Sequence, residues 1–327
     1  MNVAIVFPGQ GSQSVGMLGE LAEAHEEVGR TFEALSDTLG EDFTTLVREG
    51  PADTLNRTEN TQPAMLAAGI AVWRVWRAQG GRDAVVAAGH SFGEMTALVA
   101  VGALDFEAAA GLARTRCRLM QGAVPQGKGA MAAILGLDDE QVIALCDEAA
   151  EGQVLSAVNF NAPGQVVVAG DAQAVDRLTV AAKSAGAKRA LKLAVSVPAH
   201  SALMKPAAGE FANTLSSVTI HAPRIPVLHN IDVETHEDPD SIRDALALQL
   251  YTPVRWVETI RAIRERGADV VLELGPGKVL AGLNKRIDRT MPAICVQDPS
   301  SLAQALEACA AENDAGGTHR SWGNAWH

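Results

Sequence analysis

Ser91 stands at the centre of Gly89-His90-Ser91-Phe92-Gly93, between an apolar run at 84–88 and a helical pattern at 94–101. A G-x-S-x-G between a strand and a helix is a nucleophile elbow. The serine then sits at the tip of a sharp turn, and glycines two residues either side remove Cβ atoms that would collide. The following helix N-terminus aims free N–H groups at the site, which favours a developing oxyanion. The chemistry implied is attack by a serine hydroxyl on an acyl carbon.

A serine hydroxyl is a weak nucleophile and needs a base. The chain has eight histidines. His90 adjoins Ser91, but neighbours on an extended segment face opposite sides. His25, His319 and His327 lie in polar or terminal stretches. His200, His221, His229 and His236 remain, and the residues alone do not choose among them. A second glycine-rich segment, Phe7-Pro8-Gly9-Gln10-Gly11-Ser12-Gln13, leaves an apolar run at 3–7. It is either a plain strand-to-helix turn or a source of a backbone oxyanion donor. No Gly-Lys-Ser/Thr follows it, so it is not a P-loop. Gly275-Pro276-Gly277-Lys278 also lacks that pattern and reads as a tight turn ahead of a helix.

The elements that must position these residues follow from hydrophobic patterning. Apolar runs predict strands over 3–7, 84–88, 269–274 and 293–297, alternating with helices over 63–78, 106–121, 253–266 and 278–288. That alternation indicates an α/β fold with a parallel sheet covered on both faces. The middle differs. Strands at 130–135, 155–159, 165–169 and 190–195, with helices at 139–150 and 172–184, give β-α-β-β-α-β, a ferredoxin-like order. Asp138 or Asp139 caps the first of those helices. Residues 127–197 are therefore expected to form an inserted subdomain. The stretch 313–327 has no periodicity and is expected to be a loose tail.

Composition bounds the rest. In 327 residues, 47% are hydrophobic, enough for a sizeable core, and charged residues at 20% do not suggest disorder. A net charge of -12 argues against nucleic-acid binding, which needs a basic surface. The four cysteines, Cys117, Cys146, Cys295 and Cys309, are scattered, so neither a metal site nor a disulfide framework is expected. The first apolar run is too short for a signal peptide, and no stretch has the length of a membrane span. The expectation is a soluble, cytoplasmic protein.

Taken together, these segments resemble the malonyl-CoA:acyl carrier protein transacylases of fatty acid synthesis, over about residues 3 to 288. The opening looks like that family's FPGQGSQ, and Thr61-Gln62-Pro63-Ala64 like its TQPA. Gly89-His90-Ser91-Phe92-Gly93-Glu94 is similar to its GHS-x-GE. Arg116 through Gln121, then Ala123-Val124-Pro125, looks like its R-x-x-x-MQ-x-AVP. Asn159-Phe160-Asn161-Ala162-Pro163-Gly164-Gln165, Val197-Pro198-Ala199-His200 and Gln249-Leu250-Tyr251 look like its NFN-x-PGQ, VP-x-H and QLY. The residue after the nucleophile is often Leu in the family and is Phe here. A backbone role would survive that change, though the pocket would be trimmed.

The resemblance implies His200 as the base for Ser91, with Gln249 holding the imidazole through its backbone carbonyl in place of an aspartate. It implies oxyanion N–H groups from Gln10 and Phe92, and substrate contacts from Arg116, Gln62, Met120 and Asn161. Arg116 would bind the malonyl carboxylate, since a planar guanidinium pairs bidentately with one. On the residues alone Arg116 reads rather as one of three arginines, with Arg114 and Arg118, on a surface helix. The fold implied is an α/β-hydrolase-like catalytic body, residues 1–126 and 198–312, carrying the 127–197 insert. Malonyl-CoA and CoA would be substrate and product, with no metal and no tightly bound cofactor. The partner would be a phosphopantetheinylated acyl carrier protein, met by a monomer, with no nucleic acid or membrane involved. An acidic carrier needs a local basic patch on an acidic enzyme. Lys183, Lys188, Arg189 and Lys192 form one candidate, and Lys285, Arg286 and Arg289 another. A related acyltransferase of polyketide synthesis or malonate decarboxylation, and a serine thioesterase or hydrolase, are the alternatives.

Overall fold

Five apolar residues in a row leave no polar face, and the strand they form, β1 (Val3–Phe7), is buried along its whole length. It occupies the middle of a sheet. A computed structural model describes residues 1–195 and 197–310; the expected tail at 313–327 lies outside the described residues. Along the chain β1 is followed by β2 (Ala84–Gly89), β3 (Gly129–Leu135), β4 (Leu155–Ala162), β5 (Gln165–Asp171), β6 (Arg189–Lys192), β7 (Val227–Leu228), β8 (Val270–Leu274) and β9 (Ala293–Val296).

Two sheets result. The first has the order β7-β2-β1-β8-β9, with every neighbouring pair parallel. Helices cover it on both faces, and Phe7, Trp76 and Trp256 are fully buried there. The second has the order β4-β5-β3-β6, all antiparallel, backed by helices Asp139–Ala150 and Ala172–Ser184. Counting its strands from the N-terminus, that order is 2-3-1-4, as β-α-β-β-α-β requires when the first and third strands sit centrally. The fold is thus α/β, an α/β-hydrolase-like body with a ferredoxin-like subdomain. Asp138 supplies the N-cap of the first subdomain helix, in a reciprocal box with Gln141.

Three differences from the sequence expectation bear on the site. β7 is only two residues long, too short for a periodic signal, yet it adds a parallel neighbour to β2. The helix expected to open at Pro63 instead runs Thr58–Ala78, with the proline inside it. Proline favours a helix's first turn, but Thr61 Oγ1 here donates to Leu55 O and Arg57 O, at 2.7 and 3.1 Å, and anchors an earlier turn. β4 runs three residues beyond the expected 155–159. Its far half pairs with Val254 of the body, through Val254 N to Val158 O and Phe160 N to Val254 O. That extension carries Asn161 from the second sheet to the elbow on the first.

Candidate active site

The elbow forms where β2 ends and the helix Gly93–Ala100 begins. Ser91 has φ 51°, a left-handed conformation that costs a non-glycine residue about 1–3 kcal/mol. Its glycine neighbours are obligatory. A Cβ on Gly89 would lie 1.9 Å from the Gly93 carbonyl carbon, and one on Gly93 would lie 2.2 Å from Phe7 O. The Phe7–Gln13 segment lies against the elbow, since His90 N donates to Phe7 O at 3.0 Å. Two orphan donors of the kind a carbonyl oxygen would need are present there. The N–H groups of Gln10 and Phe92 have no acceptor among the described residues. The Gln10 side chain is turned outward, within 3.4 Å of Thr58 Oγ1.

Among the four candidate histidines, only His200 meets the serine. Its Nδ1–H donates to Gln249 O at 2.7 Å, which leaves Nε2 to accept from Ser91 Oγ at 2.7 Å. Burial, then the nearby Arg116 charge, drive His200 down to about 3, so it is a neutral acceptor at physiological pH. His221 is exposed, His229 donates Nδ1–H to Glu94 Oε1 at 2.9 Å, and His236 pairs with Asp232. His90, the first residue past β2, turns from Ser91. Its Nε2 meets Asn161 Oδ1 at 2.7 Å, and its ring stands edge-on to Trp256 at 5.4 Å.

Arg116 lies on the helix Phe106–Ala123 and is 2% exposed, unlike Arg114 and Arg118, which face solvent at least in part. Nη1 donates to Gln62 Oε1 at 2.9 Å and Nη2 to Gln249 Oε1 at 3.2 Å. The guanidinium stands 5.9 Å from the Phe92 ring centroid. No carboxylate among the described residues pairs with it. A buried guanidinium satisfied only by neutral amides has unspent capacity for an anion. Met120 is buried one helical turn further on. Gln249 joins both halves of the site. Its backbone carbonyl holds the base, and its side chain spans Arg116 and Ser91 O, the latter at 3.0 Å from Nε2.

Ser91, His200, Gln249, Arg116, Gln62 and Phe92 are therefore linked by direct contacts, with Asn161 reaching the same place through His90. Sequence reading misses Asn230 and Glu94, which hold the elbow from below. Ser91 N donates to Asn230 Oδ1 at 2.8 Å, and Asn230 N donates to Glu94 Oε2 at 2.8 Å. Glu94 ends the segment similar to GHS-x-GE but carries no role there, and for Asn230 the short run Val227-Leu228 ahead of His229-Asn230 is the local hint. The Gly275-Pro276-Gly277-Lys278 turn has no room for an anion at its helix. The Glu273 carboxylate already accepts from Leu280 N and Ala281 N, at 3.0 and 2.8 Å. Among the described residues, no cluster of His, Cys, Asp or Glu is arranged to hold a metal ion.

Comparison with known proteins places the whole fold. The acyl transferase domain family model matches residues 4–297. The malonyl CoA-acyl carrier protein transacylase of Escherichia coli K12 is 53% identical over 304 residues, covering 93% of this chain and 98% of that protein. The chain belongs to the malonyl CoA-acyl carrier protein transacylase family. A solved member, the acyl carrier protein S-malonyltransferase of Vibrio cholerae, superposes with a TM-score of 0.91 at 53% identity, covering 93% of this chain and 99% of that one. A second, a malonyl-transacylase solved in complex with a type II PKS acyl-carrier protein, gives 0.93 at 52% identity, covering 94% and 100%.

Proposed function

We propose that this chain moves a malonyl group from coenzyme A to the phosphopantetheine thiol of an acyl carrier protein, through a malonyl ester on Ser91. The observation that carries the reading is the Ser91–His200–Gln249 chain beside a buried arginine that lacks a carboxylate partner. In the first half-reaction Ser91 Oγ bonds to the thioester carbon while His200 Nε2 takes the hydroxyl proton. The tetrahedral oxyanion is held by the N–H groups of Gln10 and Phe92, an arrangement in which one donor lowers the barrier by about 3–4 kcal/mol. The carbon–sulfur bond then breaks, and His200 returns its proton to the CoA sulfur. The carrier thiol repeats the steps in reverse order and regenerates Ser91.

Arg116 selects the acyl group. Its pairing with a malonyl carboxylate completes a charge that Gln62 and Gln249 leave uncompensated, whereas an acetyl group leaves it buried and unpaired. Met120 and Asn161 line the same space. We read 1–126 and 198–312 as the catalytic body and 127–197 as an inserted subdomain; the two separate sheets support that division. The carrier docks on a cavity of about 490 Å³ lined by Lys188, Arg189 and Arg286, where the two basic clusters meet. A CoA substrate and four free cysteines suit the cytoplasm; among the described residues no helix is long and apolar enough to cross a membrane.

Incubation with labelled malonyl-, acetyl- and methylmalonyl-CoA, with mass mapping of the acylated residue, tests the reading. The expected result is one malonyl group on Ser91, discharged by holo carrier protein. A stable malonyl adduct on the S91A variant would overturn the mechanism. Release of free malonate in place of transfer would favour a thioesterase.

A further inference from the structure

The backbone of Ser91 is held at both ends. Its carbonyl accepts from Glu94 N at 3.0 Å and from Gln249 Nε2 at 3.0 Å. Its N–H goes to Asn230 Oδ1 at 2.8 Å. Asn230 is fully buried and spends its other groups on the same turn. Nδ2 donates to Gly89 O at 2.7 Å, and its backbone N–H donates to Glu94 Oε2 at 2.8 Å. His229 completes the set by giving Nδ1–H to the other Glu94 oxygen at 2.9 Å. Asn230 thus bridges the residue two before the nucleophile, the nucleophile itself and the residue three after it. It reaches them from just beyond the end of β7, the strand that lies beside β2.

Two consequences follow from this placement. A left-handed serine costs free energy, and that conformation persists only where its surroundings determine it fully. Asn230 does so from the side opposite Gln249. Moreover, because Ser91 N–H is taken, the next N–H, that of Phe92, is the first along the turn left open. We infer that Asn230, fixed by Glu94 and His229, is a positioning residue for acylation: it sets the Ser91 turn and reserves the Phe92 N–H for the oxyanion. The inference rests on the acyl-transfer reading above. Asn230 touches the backbone of the nucleophile and acts on the reaction through it. A displacement of about 1 Å at a nucleophile lowers rate on the order of a hundredfold while leaving remote binding contacts in place.

The test compares wild type, N230A and E94Q by two readouts: malonyl transfer kinetics, and the rate at which a fluorophosphonate phosphonylates Ser91. The phosphonate needs the nucleophile, base and oxyanion donors but not the arginine. In N230A both kcat and the phosphonylation rate should fall at least tenfold, with KM for malonyl-CoA changed less than threefold. E94Q keeps the side-chain volume but turns one acceptor into a donor facing Asn230 N or His229 Nδ1. It should show a smaller fall with the same split. Folded N230A reacting at the wild-type rate would overturn the proposal, as would a rise in KM matching the fall in kcat. If N230A does not fold, E94Q decides, and wild-type reactivity in folded E94Q overturns the proposal. A wild type that takes the phosphonate but no malonyl group would sink the malonyl reading, while the phosphonylation rates would still judge Asn230.

Discussion

Arg116 brings a positive charge into a space it shares with a base that must stay neutral. Burial is the main cause of His200's fall to about 3, and the Arg116 guanidinium is the next. The sign is simple: the base works only unprotonated, so its acid limb lies where His200 takes a proton. In the free enzyme that limb should therefore lie well below the ordinary histidine range, and Ser91 reactivity toward a fluorophosphonate should be flat from pH 8 down to about 4. The R116Q variant removes a lowering influence, so its limb should move to higher pH, with phosphonylation followed as a function of pH. An unmoved limb would mean that burial, and not Arg116, sets the base. A substrate carboxylate offsets the same charge, so the loaded site should hold a stronger base than the empty one. Legibility at this scale is uneven. Ser91 declares itself through its own pentad, because the glycines it needs are its neighbours in sequence. His200 does not, since residue chemistry alone does not separate it from His221, His229 or His236; the resemblance of Val197-Pro198-Ala199-His200 points to it, and contact with a residue 109 positions earlier brings it to the serine. Asn230 is less legible still, because an asparagine after a two-residue strand carries no pattern.

The elements around the site were legible where burial is continuous or periodic, as in β1, β8 and the helix Phe106–Ala123. They were hidden where a tertiary contact sets the boundary, as for β7, the extension of β4 against Val254 and the earlier start at Thr58. Another such contact is Glu273, on a strand that reads as purely apolar save for this one residue. It is fully buried, and its two oxygens cap the helix Val279–Ile287 through Leu280 N and Ala281 N. Burial pushes its carboxyl up to about 7 from an ordinary 4.5, against the pull of those N–H groups. The folded state therefore binds more protons than the unfolded state between those values, and stability falls as pH rises through that window. The full shift corresponds to about 3 kcal/mol. Denaturant unfolding from pH 4.5 to 8 should show this decline in wild type. E273Q should lose the slope while paying a constant penalty for one uncapped N–H. Equal slopes would place the titration elsewhere.

At the scale of the whole molecule the difficulty is charge. A protein at -12 repels an acidic carrier at long range, so capture depends on a local surface of the other sign. The two basic clusters are about a hundred residues apart in sequence, and the fold joins parts of them. Arg286, on the helix Val279–Ile287, donates to Pro163 O at 3.0 Å, in the β4–β5 turn of the second sheet, and to Gln165 Oε1 at the start of β5. Lys188 and Arg189, at the start of β6, line the same cavity. One carboxylate, Asp138, also lines it, but its Oδ1 accepts from Gln141 N at 2.8 Å as a helix cap. Lys192, by contrast, is paired with Asp176 at 2.7 Å and adds less free charge. K188E/R189E leaves the Arg286 tether intact and reverses the sign of the groove. The KM for holo carrier protein should rise about tenfold or more, and that rise should shrink as salt screens the encounter. The KM for malonyl-CoA should stay within about twofold, because the dyad and Arg116 do not line this groove. An equal rise in both KM values would instead assign the basic groove to the phosphates of coenzyme A, and the carrier would have to approach by another face.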